Sequence, residues 1–460
     1  MNIKNIYSKI IITAISGIYL YILLVFGIGL SEDAVSYCYA AQTFTEQVFM
    51  KNIDGSAFVH WPPLMPFLIG ILSLLSEKLL LLLPLLSIVL TLWACILWAN
   101  KLLKNRGLRL LLLILFAFNF ALVYTAPMLW SDLLFLALFL FWLYALDEKN
   151  TKRVILLFVL MSLLRYAALF FLPLLLLYLY RNYSRAKGFR SFAQSILYSI
   201  APIALWLTYT YLQSGHISGA RMFPAEYFAD NSEAIASELG KWVLPAGSPY
   251  FIHVLATAFV LILPLWLIRA YQYVILAHLT YAAGIIISYF LFDMQAPDAR
   301  LLLPLVPAFL FAMLLLIEQT VQQKKHVFLA ILLLWCSYSV IRGGKLLLQQ
   351  INGDFGKYNR GLWQEAQSKK LCTDIATYED KLLISNDAYG LNYLCNKEAM
   401  IWPKDIYFLK ADSLPDKGIF IWIRQKDPYQ LYTPSAILSV YKSDTLLLRD
   451  NWILMQLEKH

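Results

Sequence analysis

The residues able to do chemistry stand in a few short stretches: Glu32, Asp33 and Tyr37, then His60 and Trp61 before Pro62 and Pro63, then Ser131 with Asp132, Arg165, and Asp298 with Arg300. Carboxylates beside guanidinium groups suit a reaction in which an acceptor hydroxyl or amine gives up a proton while a phosphate leaves, because Arg grips phosphate through two parallel hydrogen bonds. The same residues have plainer uses. Asp33 and Asp132 are of a type that caps helices, Arg165 and Arg300 of a type that reaches from a span to lipid head groups, and His60 would serve as a rim residue. Glu226, Asp230, Glu233 and Glu238 read as a solvated helix face. The sequence carries no Walker glycine loop, dinucleotide fingerprint, zinc-ligand spacing or Ser/His/Asp signature. No resident cofactor or metal site is read from it, and one or two carboxylates do not separate a base from a divalent-metal ligand.

What must position these residues is a bilayer. Apolar types make up 60% of the 460 residues and charged types 15%, the balance of a polytopic membrane protein and more than one soluble core would need. The formal charge of +9 does not mark a nucleic-acid partner, because the basic residues fall in short patches between apolar runs. Lys4 and Lys9 precede an apolar run to Leu30 that lacks a small-residue cleavage site, so it reads as a first span and not as a removed signal peptide. The segment Leu64–Leu75 is too short to cross roughly 30 Å of hydrocarbon, and it follows two prolines that suit only a first helical turn. It is expected to lie as a helix in the outer interface.

Cytoplasmic loops are enriched in Lys and Arg. Placing Lys101, Lys104, Arg106 and Arg109 inside, with Lys149, Lys152 and Arg153 in the next inner loop, fixes the direction of each later run. Val154–Tyr180 is about 40 Å long as one helix, so it reads as a hairpin of two short helices turning near Arg165 and Tyr166. There the arginine escapes the cost of a charge in hydrocarbon. The result is a polytopic α-helical membrane protein of about eleven spans, N-terminus in and C-terminus out, with Glu32, Asp33, His60, Asp132, Arg165, Asp298 and Arg300 all at the outer face.

Beyond Arg342 the composition turns polar. Helical spacing over Tyr358–Tyr378 and strand-like stretches at Leu382–Ser385, Ile419–Arg424 and Ala436–Tyr441 predict a small soluble α/β domain over 343–460, after a membrane domain over 1–342. Cys372 and Cys395 share it, either as a disulfide, which an oxidising compartment would preserve, or as two buried thiols.

Taken in order, Asp33 and Tyr37, the Pro62–Pro63–Leu64 turn, Ser131 and Asp132 opening a span, and Asp298, Arg300, Leu303, Pro304 and Pro307 resemble the polyprenyl-phosphate-dependent membrane glycosyltransferases of the GT-C class. The closest resemblance within it is to the bacterial group of protein O-mannosyltransferases and the lipid A aminoarabinose transferase. Over about residues 8–340 it implies a lipid-linked sugar donor such as a polyprenyl monophosphate sugar, and an envelope glycan, lipid or protein as acceptor. It further implies an inner-membrane location with transfer on the periplasmic side. Residue by residue, it implies Asp33 as the base that activates the acceptor, Asp132 as a second acidic site residue and Arg300 as a contact to the donor phosphate. Ala34 stands where such proteins often carry a second acid, which leaves Glu32 in that role. His60 and Trp61 stand where they often place Lys, and Arg165 replaces a Lys with its charge kept.

Other classes compete, the weakest being a purely structural anchor for the C-terminal domain, which would not need eleven spans. A transporter would place polar groups near the membrane midplane on broken helices, often in inverted repeats, and no repeat is visible. A lipid-linked oligosaccharide polymerase or ligase would share outer arginines but use a diphosphate donor. A reporter active only outside the inner membrane should work when fused after His460 and fail when fused at Asn105; the reverse at either point overturns the topology.

Overall fold

The computed structural model describes residues 6–53, 55–184, 188–217, 228–245, 247–267, 271–291, 299–357, 365–378, 380–397, 399–401, 416–423, 441–449 and 451–459. Asp298, Glu226, residues 358–364 of the expected first C-terminal helix, Arg424, and residues 436–440 of an expected strand lie outside them. In chain order the helices are α1 (Ile6–Phe26), α2 (Glu32–Gln47), α3 (Leu64–Leu75), α4 (Leu82–Leu102), α5 (Arg106–Ala117), α6 (Phe120–Thr125), α7 (Ser131–Asp147), α8 (Thr151–Leu164) and α9 (Leu172–Leu179). They continue with α10 (Gly188–Ser214), α11 (Phe228–Gly240), α12 (Tyr250–Leu267), α13 (Gln272–Leu291), α14 (Val306–Gln322), α15 (His326–Ile351), α16 (Glu365–Ala376) and α17 (Ala388–Cys395).

Among the described residues, five helical stretches are long and apolar enough to cross a membrane: Ile6–Phe26, Glu77–Leu102, Gly188–Ser214, Leu303–Gln322 and His326–Ile351. Others are shorter for identifiable reasons. The apolar run Leu110–Thr125 is divided, because the Asn119 side chain accepts hydrogen bonds from the Ala121 and Leu122 amides and starts α6 afresh. The run over Val154–Tyr180 breaks at Arg165, whose extended backbone ends α8 before a 3-10 turn over Tyr166–Phe171. Thr151 Oγ1 and Tyr178 Oη lie 3.3 Å apart, so the start of α8 and the end of α9 are neighbours, as in the expected hairpin.

Contacts divide the chain into two compact units. The first comprises residues 1–28, 59–65 and 75–353. Several buried polar side chains of its helices bond to the backbone of a neighbouring helix, which lowers the cost of placing them in an apolar medium. Trp98 of α4 donates Nε1–H to Leu140 O of α7 at 3.0 Å, and Thr91 Oγ1 reaches Leu133 O at 3.3 Å. Phe171 stacks on Phe139 at 4.7 Å between ring centroids. Lys101, at the end of α4, pairs with Asp147 and with Glu148 at 2.9 Å, which joins two segments that the charge pattern assigns to one side of the membrane. α15 packs closest where α5 gives way to α6. Arg342 lies over the Phe120 ring at 4.2 Å, Gln350 donates to Val123 O at 2.7 Å, and Gly343 faces the carbonyl of Phe118.

The second unit comprises residues 29–58, 66–74 and 354–460. It contains a five-stranded sheet of order β2-β1-β3-β5-β4. Its strands are β1 (Leu383–Ser385), β2 (Met400–Ile401), β3 (Lys417–Ile423), β4 (Tyr441–Leu448) and β5 (Trp452–Lys459). β1 runs parallel to β2 and β3, while β5 is antiparallel to β3 and β4. Cys372 of α16 and Cys395 of α17 form a disulfide across 23 residues of sequence, which restricts the unfolded chain by about 3 kcal/mol on a loop-entropy estimate.

These units do not follow the boundary expected between 342 and 343. α15 continues through it to Ile351, and the polar loop after α1 folds with the C-terminal part. The reason is apolar surface: Val35 and Ile53 share a core with Leu371, Ile375, Leu391, Ile419, Ile421 and Leu454. α3 packs on α2 in the same unit, with Phe67 against Phe44 at 5.7 Å and Gly70 against Thr45.

A Cβ at Gly343 would fall 1.7 Å from the Phe118 carbonyl oxygen, whereas one at Gly344 meets nothing within 4 Å. Gly343→Ala should therefore destabilise the protein by about 1–3 kcal/mol through overpacking. Gly344→Ala should be neutral or stabilise by up to about 1 kcal/mol. Equal thermal midpoints for the two variants in detergent would refute this packing.

Candidate functional site

In the first unit the site begins at the turn into α7. Trp130 is extended and caps α7 with backbone alone, which leaves Ser131 and Asp132 in the first turn with their side chains available. Asp132 is therefore not the helix cap. Its Oδ1 pairs with Arg165 Nη1 at 2.7 Å, and the same nitrogen donates to Ser131 Oγ at 3.1 Å. The Asp132 side chain is 3% exposed and that of Arg165 18%. A bond between buried charges repays their desolvation only where the geometry is good, and removing either partner strands the other. Asp132 Oδ2 is buried with no hydrogen-bond partner among the described residues.

Two further segments meet this pair. Arg300 lies with its guanidinium 4.7 Å from the centre of the Trp130 ring, a cation-π contact that holds the charge beside Ser131 and Asp132. Its backbone is fixed by a 3-10 turn, with Leu303 N donating to Arg300 O at 3.2 Å, and by Tyr281 Oη donating to Leu301 O at 2.7 Å. The stretch carrying His60 is tied in through its backbone: Tyr166 Oη donates to Val59 O at 3.1 Å and accepts from Trp206 Nε1 at 3.0 Å. His60 itself meets Trp61 edge to face at 5.7 Å. Asp132, Arg165, Arg300 and the His60 segment, far apart in sequence, thus converge through the contacts of Trp130, Ser131 and Tyr166.

Glu32 and Asp33 belong to the second unit, where they open α2. Ser31 is the N-cap, its Oγ accepting from Ala34 N at 3.4 Å. Capping is therefore done without Asp33, a half-buried residue of the first turn where the helix dipole favours a negative charge. Glu32 is exposed, and its carboxylate receives the Lys357 ammonium at 2.9 Å. Lys357 also contacts Asp387 Oδ2 at 3.3 Å. Burial disfavours the charged ammonium, but Asp387 and Glu32 outweigh it and hold its pKa above the ordinary lysine value. The pair of contacts is thus intact at neutral pH and is lost as pH rises past the lysine range.

Sequence patterns did not single out Lys357, Asp387 or Trp206. Nothing in local spacing marks them, since each acts across a long sequence separation. Among the acids expected on a solvated helix face, Glu238 pairs with Lys241 within its own turn. Among the described residues no group of three or more His, Cys, Asp or Glu gathers that could hold a metal ion.

No family profile and no curated protein sequence matches the chain. Solved structures do. The chain superposes on ArnT from Cupriavidus metallidurans bound to undecaprenyl phosphate, with 97% of each chain covered, a TM-score of 0.57 and 10% identity. The apo state of the same protein gives 0.55 at the same coverage and identity. At that identity the likeness is one of fold, and the fold is the GT-C fold that the resemblance of the motifs implied.

The buried pair gives a direct test. Arg165→Leu should cost about 3–5 kcal/mol by leaving Asp132 buried without its partner, and adding Asp132→Leu should recover part of that loss. Additive losses in the double variant, measured by unfolding in detergent, would show that the two residues are not coupled.

Proposed function

We propose that the chain is a membrane glycosyltransferase of the inner membrane, which moves a sugar from a polyprenyl-monophosphate carrier to a cell-envelope glycan, lipid or protein on the periplasmic side. The observation that carries this reading is the convergence of Arg165 and Arg300 on the Trp130–Asp132 turn, within a fold shared with a protein that binds undecaprenyl phosphate. Two guanidinium groups held by a carboxylate and an aromatic face suit an anionic phosphate leaving group.

In this reading Asp33 takes the proton from the acceptor hydroxyl or amine. The acceptor atom attacks the anomeric carbon, the bond from that carbon to the phosphate oxygen breaks, and the electron pair leaves with the polyprenyl phosphate. Arg300 and Arg165 meet the charge on that oxygen, with His60 at the rim of the phosphate contact. Asp132 neutralises and orients Arg165, and its second oxygen has capacity left for a substrate hydroxyl. Glu32, held by Lys357, anchors the first turn of α2. About eleven spans with the C-terminus outside would place the acids and arginines at the face where envelope acceptors are found.

Asp33→Asn keeps size and loses the base. Transfer should fall by about 100-fold to 10,000-fold, roughly 3–5 kcal/mol of barrier, with binding of undecaprenyl phosphate retained. Arg300→Ala should weaken that binding and leave the apparent acceptor affinity nearly unchanged. Mass spectrometry of envelope glycans and lipids, at equal amounts of folded protein, reads the transfer. Near-normal transfer by Asp33→Asn would remove the proposed base and reopen the polymerase and transport alternatives.

A further inference from the structure

Lys357 follows α15 and is stitched to the start of α2 twice over. Its backbone N donates to Leu30 O at 2.7 Å, directly before the Ser31 cap, and its ammonium reaches Glu32 at 2.9 Å. The other side of the ammonium meets Asp387 at 3.3 Å. Asp387 is 5% exposed and is fixed by two hydrogen bonds of its own. Its Oδ1 accepts from Gly390 N at 3.3 Å to cap α17. Its own amide donates to Ser385 Oγ at 3.0 Å, and that hydroxyl donates to Ile421 O of β3 at 2.9 Å. The neighbouring Asn386 exchanges two hydrogen bonds with Ile423, at 3.0 Å and 2.8 Å.

A rigid path therefore runs from the sheet through Ser385 and Asp387 to Lys357, and from there to Leu30 and Glu32. A cation beside a helix N-terminus is disfavoured by the helix dipole. The lysine keeps its place because two carboxylates flank it. Val35, one turn into α2, packs in the core of the same sheet, so the first turn is held by a charge clamp on one side and by apolar contact on the other.

We propose that Lys357 is a positioning residue for the transfer reaction, fixing the first turn of α2 and with it the Asp33 carboxylate, so that the C-terminal α/β fold sets the geometry of the acceptor-activating base. This rests on the reading of Asp33 given above. A base displaced by on the order of 1 Å loses about 100-fold in rate while substrate binding survives. That separation distinguishes a positioning role from a structural one, which would lower the amount of folded protein and every activity together.

The test uses the full-length chain in membranes, with Asp33→Asn run beside Lys357→Met, Lys357→Arg and Glu32→Gln. Transfer is read by mass spectrometry of envelope glycans and lipids, donor-site integrity by binding of undecaprenyl phosphate, and the first turn of α2 by amide hydrogen exchange. Lys357→Met is expected to lose about 10-fold to 100-fold in transfer, to bind undecaprenyl phosphate normally, and to exchange faster at residues 33–36. Lys357→Arg, which keeps the charge, should recover most of the transfer. Glu32→Gln should lose transfer in the same direction and add little to Lys357→Met, because both act through one contact. Normal transfer by Lys357→Met beside an inactive Asp33→Asn overturns the positioning role and leaves the base assignment standing. Normal transfer by Asp33→Asn removes the base assignment and this role with it. Should Lys357→Met not fold, unchanged transfer and exchange in Glu32→Gln overturn the proposal by themselves.

Discussion

The cost of a charge in an apolar surrounding governs the first unit. Arg165 falls in the middle of a long apolar run, where an unpaired guanidinium would be expensive. The chain answers by breaking the helix at that residue and by supplying Asp132 from another helix as its partner. The break makes Val154–Tyr180 a hairpin, and the partner fixes α7 against it. Tyr166, the next residue, then carries the hydrogen bond that ties in the backbone beside His60. One ion pair thus organises three segments, and in the proposed reaction its arginine would also meet the donor phosphate.

The second unit solves a different problem. The loop after α1 is too polar to enter hydrocarbon and too short to form a core of its own. It gains one by contributing Val35 and Ile53 to the sheet that the C-terminal residues build. Apolar burial fixes the body of α2, while the Lys357 clamp fixes its first turn. The disulfide between α16 and α17 stiffens the layer on which this rests, since α17 begins at the Asp387 cap. A sugar transferase of the proposed kind would gain a base whose position depends on a soluble fold and not on lipid packing.

Much of this was legible in the residues. Apolar runs and basic patches marked a helical membrane protein, because hydrocarbon admits little else and cytoplasmic loops collect Lys and Arg. The double proline delimited α3 at Leu64–Leu75, and the excess length of Val154–Tyr180 located its break at Arg165. Local chemistry of this kind acts over one or two helical turns, so sequence order carries it.

Tertiary structure decided what depends on distant partners. The split of Leu110–Thr125 at Asn119 turned on a side-chain cap that competes with helix continuation. That neither Asp33 nor Asp132 is the cap of its helix turned on Ser31 and Trp130 occupying the cap positions instead. The choice between a disulfide and two thiols at Cys372 and Cys395 needed their separation in space. Membership of the first loop in the C-terminal fold, and the contacts of Lys357 within it, rest on residues far apart along the chain, 325 positions in the case of Lys357 and Glu32. Composition and periodicity determine which segments seek apolar burial and which need water, but only the packed chain determines which buried charge answers which.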